Sequence, residues 1–383
     1  MLFRSNNNTL VGANTAPGVT GVANTFLGNG SGNQATTGTY NTGVGFVSLN
    51  NGVLTGANNT ALGAYSLYNN TTASNNTAVG YRTGYANTTG TITAVGAYTL
   101  DANTTGAGNA AVGAYALTNN TTGNYNSGFG EGALAENTTA SNNTAVGYQS
   151  LYSNVTGADN TAVGAYALIS NTGSANVAVG RRALYSSTAD GNTAVGHRAL
   201  DGTSTGTGNV ALGYNAAYTN TTGASNTALG YQALQANTTA SNNTAVGYQA
   251  GYSNTTGTEN VFTGLVTGYS NTTGNYNNAY GARSLSANTT GSYNTAIGHQ
   301  ALQANTTASD NTAIGYQAAY SNSTGTRNVA VGRDALHEVL LDDNTGVGYR
   351  AGYLTTSGQY NTSLGSQALY SNTTANDNTA VGY

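Results

Sequence analysis

The chain contains no cysteine, no tryptophan and no lysine, and a single proline in 383 residues. Without cysteine, disulfides and thiolate chemistry are excluded, and the sequence gives no indication of the redox compartment. Charged residues make up 6% of the chain, so the clustered cations that neutralise phosphates are missing. The composition therefore argues against nucleic acid and anionic membrane surfaces as partners.

Long hydrophobic runs are also missing, since no stretch approaches the roughly 20 apolar residues of a membrane span. We therefore predict no membrane insertion. The last residues, Gly382 and Tyr383, stop inside a repeat, and neither end shows the atypical unit that normally covers a solenoid. We expect the chain to be a fragment of a longer protein.

One phrase fills the sequence from end to end, with the consensus NTAVGYQALYSNTTGSN, and its anchor glycine recurs every 16 to 18 residues, most often every 17. Glycine inside every unit and β-branched residues at the apolar positions disfavour helix. A period of this length supplies short strands and turns that stack about 4.8 Å apart. The sequence predicts an all-β fold, a parallel β-solenoid running as one continuous array over residues 1–383.

The strand-like part of each unit alternates small and branched residues. Because alternate strand residues share a face, we expect the branched residue before the anchor glycine, and the threonine two positions earlier, to point inward. Alanine and glycine would then form an outward row that admits another backbone. This candidate self-association face comprises Ala78, Gly80, Ala145, Gly147, Ala228, Gly230, Ala245 and Gly247.

A second apolar row lies four residues after the anchor glycine and is usually leucine, as at Leu234 and Leu302. Where glycine or alanine replaces that leucine, tyrosine often follows, as in Gly84-Tyr85, Gly251-Tyr252 and Gly268-Tyr269. We predict that the tyrosine ring fills the vacated space.

The turn-rich part of each unit carries Asn-Thr-Thr or a close variant, which is an N-glycosylation acceptor. If a eukaryote secretes the protein, we expect partial glycosylation of these turns. Asparagine is also an ordinary turn former, and stacked asparagine amides can form a ladder without any sugar. The candidate asparagines are Asn70, Asn87, Asn103, Asn120, Asn137, Asn154, Asn220, Asn237, Asn254, Asn271, Asn288, Asn305, Asn322 and Asn372; a second type, Asn-Asn-Thr, occurs at Asn58, Asn75, Asn142 and Asn242.

The phrase Asn-Thr-Ala-Val-Gly resembles the head repeats of trimeric autotransporter adhesins, and NTAVGYQAL with SNTTG is similar to repeats in phage tail-fibre shafts and large surface proteins. The unit here is longer than the usual adhesin repeat. The resemblance implies a left-handed β-roll, three chains around one axis, and a location outside the cell or on a cell or virion surface. We add end-to-end association through uncapped coils as an expectation.

Groups for chemistry are scarce, because catalysis needs convergent titratable side chains. The irregular segment RDALHEVLLDDNTG brings His337 close in sequence to Asp334, Glu338, Asp342 and Asp343. A divalent-cation site there is conceivable, and a bulged surface loop is the favoured alternative. The densest charge group is interpreted as a local ion-pair patch, with polysaccharide binding as the alternative, and comprises Arg181, Arg182, Asp190, Arg198 and Asp201.

Three function classes follow from these patterns. The favoured one is a structural subunit of an extracellular fibre or filament shaft, with no catalysis, metal or cofactor. The first alternative is a receptor- or glycan-binding adhesin or tail fibre. The second is an ice-binding solenoid, which would require a flat outward ladder of threonine.

Overall fold

A computed structural model describes residues 2–3 and 6–383, and for residues 2–3 it describes the backbone alone. The chain divides into two compact units, Met1–Gly191 and Asn192–Tyr383. The fold is all-β, a parallel β-solenoid of coils of about 17 residues, and the described residues form no helix. Whether the array continues unbroken over residues 1–383 stays a prediction.

The strands are short, and most span three residues. In unit 1 they are β1 Leu2–Phe3, β2 Thr9–Val11, β3 Thr25–Leu27, β4 Thr42–Val44, β5 Thr60–Leu62, β6 Thr77–Val79, β7 Ile92–Val95, β8 Asn109–Val112, β9 Ser127–Phe129, β10 Thr144–Val146, β11 Thr161–Val163, β12 Ser170–Asn171, β13 Val177–Val179 and β14 Ser186–Ser187. In unit 2 they are β15 Thr193–Val195, β16 Val210–Leu212, β17 Thr227–Leu229, β18 Thr244–Val246, β19 Val261–Thr263, β20 Asn278–Tyr280, β21 Thr295–Ile297, β22 Thr312–Ile314, β23 Val329–Val331, β24 Thr345–Val347, β25 Thr362–Leu364 and β26 Thr379–Val381.

Strands of successive coils pair in parallel with matching residues in register. Thr227 pairs with Thr244, Ala228 with Ala245, and Leu229 with Val246. The exception is β1, which pairs antiparallel with β2, while β12 and β14 form a small separate parallel pair. Because like residues face each other along each unit, every position of the repeat becomes a column.

The alanine of each strand points into the coil. Ala78, Ala145 and Ala245 are fully buried and Ala228 almost so, whereas the valine or leucine that follows is half-exposed. The predicted orientation, with threonine and valine inside and alanine outside, is therefore wrong. Where the neighbouring leucine is present, the interior leaves room for little more than a methyl group: a Cβ on Gly128, at an alanine position, would lie 3.3 Å from the Ala133 carbonyl oxygen and 3.5 Å from Leu117.

The anchor glycines approach another backbone closely, but that backbone is the next coil of the same unit. A Cβ on Gly147 would lie 2.7 Å from the Gly164 carbonyl carbon, and Gly147 has a φ of +131°. Gly80, Gly230 and Gly247 are placed in the same way. These glycines allow coils to stack, so together with the buried alanines they form no free self-association face.

The leucine column is buried, as predicted, and its residues have a left-handed backbone; Leu234 has a φ of +48°. Where glycine replaces this leucine, tyrosine does not fill the space. In unit 2 the gap at Gly251 and Gly268 is filled by Phe262, which occupies an alanine position of the neighbouring strand and is fully buried. Tyr252 and Tyr269 lie half-exposed outside the core.

A set of asparagines directly before the strands is buried, and it is distinct from the asparagines of the Asn-Thr-Thr turns. Asn243 accepts the backbone N–H of Asn260 at Oδ1 (3.0 Å) and donates from Nδ2 to the Gly257 carbonyl (2.9 Å). Each side chain therefore joins its own coil to the next. Because a buried polar group without a partner is costly, these bonds fix the coil spacing.

Candidate functional site

Apart from Asn372, the asparagines of the Asn-Thr-Thr turns named above are buried. In unit 1 Asn87 Nδ2 donates to Asn70 Oδ1 (3.1 Å), and in unit 2 Asn271 Nδ2 donates to Asn254 Oδ1 (2.8 Å). Each Nδ2 also donates to the carbonyl three residues on, as from Asn271 to Gly274 (3.0 Å). These contacts form an asparagine ladder, which runs from Asn70 to Asn171 in unit 1 and from Asn220 to Asn305 in unit 2.

This ladder bears on the predicted glycosylation, which stays a prediction. A glycan replaces one hydrogen of Nδ2 and needs space outside the coil, whereas the ladder amides lie inside it and most of them use both Nδ2 hydrogens in hydrogen bonds. Of the predicted sites, Asn372 is partly exposed, and the following are at most 1% exposed: Asn70, Asn87, Asn103, Asn120, Asn137, Asn154, Asn220, Asn237, Asn254, Asn271, Asn288, Asn305 and Asn322. The four acceptors of the second type named above, Asn58, Asn75, Asn142 and Asn242, are exposed.

An apolar stripe lies on the outside of the strands. Threonine and the residue after the buried alanine share this outward face, and the residue after the anchor glycine continues it, as in Thr227, Leu229 and Tyr231. We name these three columns the outer stripe. Its apolar members are about 40% exposed, among them Val112, Phe129, Val146, Leu229, Ile297 and Ile314.

In unit 2, tyrosines stack along the coils with nearly parallel rings. Tyr214, Tyr231 and Tyr248 stand 5.2–5.3 Å apart, and His197 stacks on Tyr214 at 5.3 Å. Such stacks stabilise neighbouring coils. They also cover the ring faces that a sugar would use, so an unbroken tyrosine column offers ring edges alone.

The acidic segment near His337 is a coil of the solenoid and not a bulged loop, since Leu336 and Val339 are buried in it. Asp343 pairs with Arg327 at 2.7 Å, and this hydrogen bond holds the pKa of Asp343 below its ordinary value. His337 contacts Glu338 at 2.7 Å. Among the described residues, no three acidic or histidine side chains are grouped so that they could hold a metal ion.

Residues of the predicted ion-pair patch make local contacts. In unit 1 the guanidinium of Arg182 lies 4.1 Å from the Tyr185 ring centroid, and Asp190 Oδ1 accepts a backbone N–H at 2.7 Å. In unit 2 Arg198 Nε lies 3.0 Å from Asp201 Oδ2. Polysaccharide binding at this patch stays a prediction.

Two surface grooves open where tyrosine is missing from the column five residues after the anchor glycine. In unit 2 that column reads Tyr252, Tyr269, Ser286, Gln303 and Tyr320, and the groove has a volume of about 410 Å³. In unit 1 the gap comprises Asp101, Thr118 and Ala135, and the groove beside Thr118 and Ala135 has a volume of about 330 Å³. Sequence reasoning missed both sites, although the gaps in the tyrosine column are visible in the repeat.

Comparison with known proteins gives no relative: no family model matches the chain, and no match appears among curated proteins. Of the described residues, none belongs to a helix with the length and hydropathy needed to cross a bilayer.

Proposed function

We propose that the chain is a structural subunit of an extracellular fibre or shaft, and that its copies associate side by side along the outer stripe. The observation that carries this proposal is the regular exposure of branched and aromatic side chains on one face of a rigid stack. Soluble monomers rarely expose contiguous apolar patches beyond a few hundred Å². The resemblance to adhesin heads and tail-fibre shafts suggests three copies around one axis.

The size of the outer stripe fits this role. The strands β15–β26, stacked about 4.8 Å apart, make a stripe on the order of 55 Å long in unit 2 alone. With a width of about 10 Å it offers on the order of 500 Å². A standard interface buries about 800 Å² on each partner. The stripe of unit 2 alone therefore supplies more than half of that area.

Charge placed on the outer stripe should abolish this association. We expect the double variant Leu229→Asp and Ile297→Asp to shift the assembly to monomer, because association would bury unpaired carboxylates. Sedimentation velocity measures the shift, and circular dichroism checks the fold. The control is Thr239→Asp, an exposed turn position. A monomeric wild-type chain, or an equal effect of the control, would contradict the proposal.

The outward threonines also favour a second candidate function, ice binding. This hypothesis required an outward threonine ladder, and the strand threonines, such as Thr144, Thr161 and Thr244, lie on the outer face. If ice is the ligand, the purified chain lowers the freezing point below the melting point, and Thr244→Tyr reduces that gap. Thermal hysteresis measured at submillimolar protein tests this, and a gap of zero rejects it.

A further inference from the structure

The groove in unit 2 exposes one face of a tyrosine ring. Tyr252 and Tyr269 stack at 5.0 Å with an interplanar angle of 8°. In the next coil the column carries Ser286, and then Gln303, so no aromatic ring covers the second face of Tyr269. Stacking resumes at Tyr320, which packs on His337 at 5.0 Å. The gap therefore leaves a flat, half-buried ring face at the end of an open groove.

Arg283 lines the same groove and has no counter-charge. It is exposed, and within the described part of the chain it forms no ion pair and stacks on no ring. The other described arginines each have a partner. Five pair with aspartates: Arg82 with Asp101, Arg198 with Asp201, Arg327 with Asp343, and Arg333 and Arg350 with Asp334. Arg182 lies against the Tyr185 ring, and Arg181 also contacts another group. Arg283 is thus a cation available to a ligand.

Polar side chains provide the remaining surface of the groove. Gln249, Ser270, Ser286 and Gln303 line it, and Oε1 of Gln303 is buried without a hydrogen-bond partner. Buried polar atoms are normally paired, so an orphan acceptor at a groove is a place for an incoming donor, reached by rotation of the amide. The volume of about 410 Å³ lies within the usual range for ligand pockets.

We propose that this groove binds an acidic saccharide, a sugar ring that carries a carboxylate. The apolar face of a pyranose would lie on the free face of Tyr269, and its carboxylate would pair with Arg283, whose planar guanidinium matches carboxylate geometry. The amides and hydroxyls would bond the sugar hydroxyls. A ligand with one apolar face and many hydroxyls suits a groove with one aromatic wall and polar surroundings. The inference goes beyond the shaft role, because one chain builds the whole groove and binding there does not depend on association of copies.

The groove in unit 1 provides an internal comparison. It arises from the same gap in the tyrosine column and is lined by Tyr115 and Tyr152, but its charged residues are Glu131 and Glu136. No arginine lines it. Two carboxylates repel an anionic ligand, so an acidic saccharide should select the groove in unit 2.

The experiment uses the full chain and isothermal titration calorimetry with four probes: oligogalacturonate, its methyl ester, sialyllactose and lactose. We expect at least one acidic probe to bind. Its uncharged counterpart should have an affinity lower by a factor of about ten or more, because hydrogen bonds to charged groups contribute most. Arg283→Gln should weaken binding by a similar factor. Ser286→Tyr should abolish it by covering the free face of Tyr269 and filling the groove, while circular dichroism stays unchanged.

The matched control is Tyr152→Ala, which opens the groove in unit 1 and should leave binding unaltered. Three results would overturn the proposal: no binding of either acidic probe, equal binding of the acidic and uncharged forms, or unchanged binding in Ser286→Tyr. Loss of lateral assembly in the Leu229→Asp and Ile297→Asp variant does not affect this test, so failure of the shaft proposal and failure of the saccharide site are distinguishable.

Discussion

Asn271→Asp is expected to destabilise unit 2 by about 4 kcal/mol or more at neutral pH, a large effect for a change of one amide to one carboxylate. Asn271 is fully buried, and its Nδ2 donates to Asn254 Oδ1 (2.8 Å) and to the Gly274 carbonyl (3.0 Å). An aspartate would direct an anionic oxygen at both acceptors. The bond accepted from Asn288 Nδ2 (2.7 Å) does not offset this repulsion.

The loss of stability caused by Asn271→Asp should depend on pH, and the pKa of the introduced carboxyl determines the direction. Burial and two facing acceptors disfavour the charged form, so the pKa of the introduced carboxyl is raised in the folded state. A group whose pKa is raised by folding contributes its full stabilisation of the folded state at pH values below its unfolded pKa. This contribution is lost as the pH rises through the folded pKa. The deficit should therefore shrink on acidification from pH 7 towards pH 4. Denaturant unfolding of wild type and variant at several pH values measures it.

Asn242→Asp is the matched control. Asn242 is exposed with a φ of +61°, and other coils already carry aspartate at this turn position, as at Asp159 and Asp310. We expect Asn242→Asp to change the free energy of unfolding by less than about 0.5 kcal/mol, as ordinary surface substitutions do. Equal effects at Asn242 and Asn271, or a deficit at Asn271 that does not change with pH, would mean that the ladder contributes little.

The asparagine ladder also shows what the sequence determines and what it leaves open. The 17-residue period, the glycines and the β-branched residues were sufficient to predict a parallel solenoid, because period and turn chemistry are local properties. The role of the turn asparagines was ambiguous, since an acceptor motif and a buried ladder use the same three residues. Burial favours the ladder, and burial depends on how neighbouring coils stack.

The two faces of the strand were assigned wrongly for a related reason. Alternation says that Ala228 lies opposite Leu229, but it does not say which of them points inward. The usual preference places the larger apolar residue inside. In these coils the interior is already occupied by Leu234 and its equivalents and by the asparagine side chains, so alanine is what fits. The valines and leucines therefore lie outside and form the outer stripe.

Phe262→Ala is expected to destabilise unit 2 by about 3–5 kcal/mol, the usual cost of truncating a buried phenylalanine. Phe262 is fully buried, and it occupies the space beside Gly251 and Gly268; a Cβ on Gly251 would lie 2.8 Å from its ring. With no larger side chain at either glycine, the truncation leaves a cavity that the flanking coils cannot fill. Chemical denaturation followed by circular dichroism measures the loss.

The same geometry predicts a rescue that a generic core defect would not show. In the wild-type background, Gly251→Leu and Gly268→Leu should each destabilise, because the new side chain collides with the Phe262 ring. In the Phe262→Ala background the same two substitutions should restore most of the lost stability, since they recreate the alanine and leucine pairing of Ala228 and Leu234.

The backbone permits this rescue: Gly251 and Gly268 have φ values of +58° and +57°, and Leu234 adopts +48°. Residues in contact give non-additive free energies, so the double-mutant cycle should show a coupling of about 2 kcal/mol or more. Additive effects would mean that Phe262 does not replace the missing leucines.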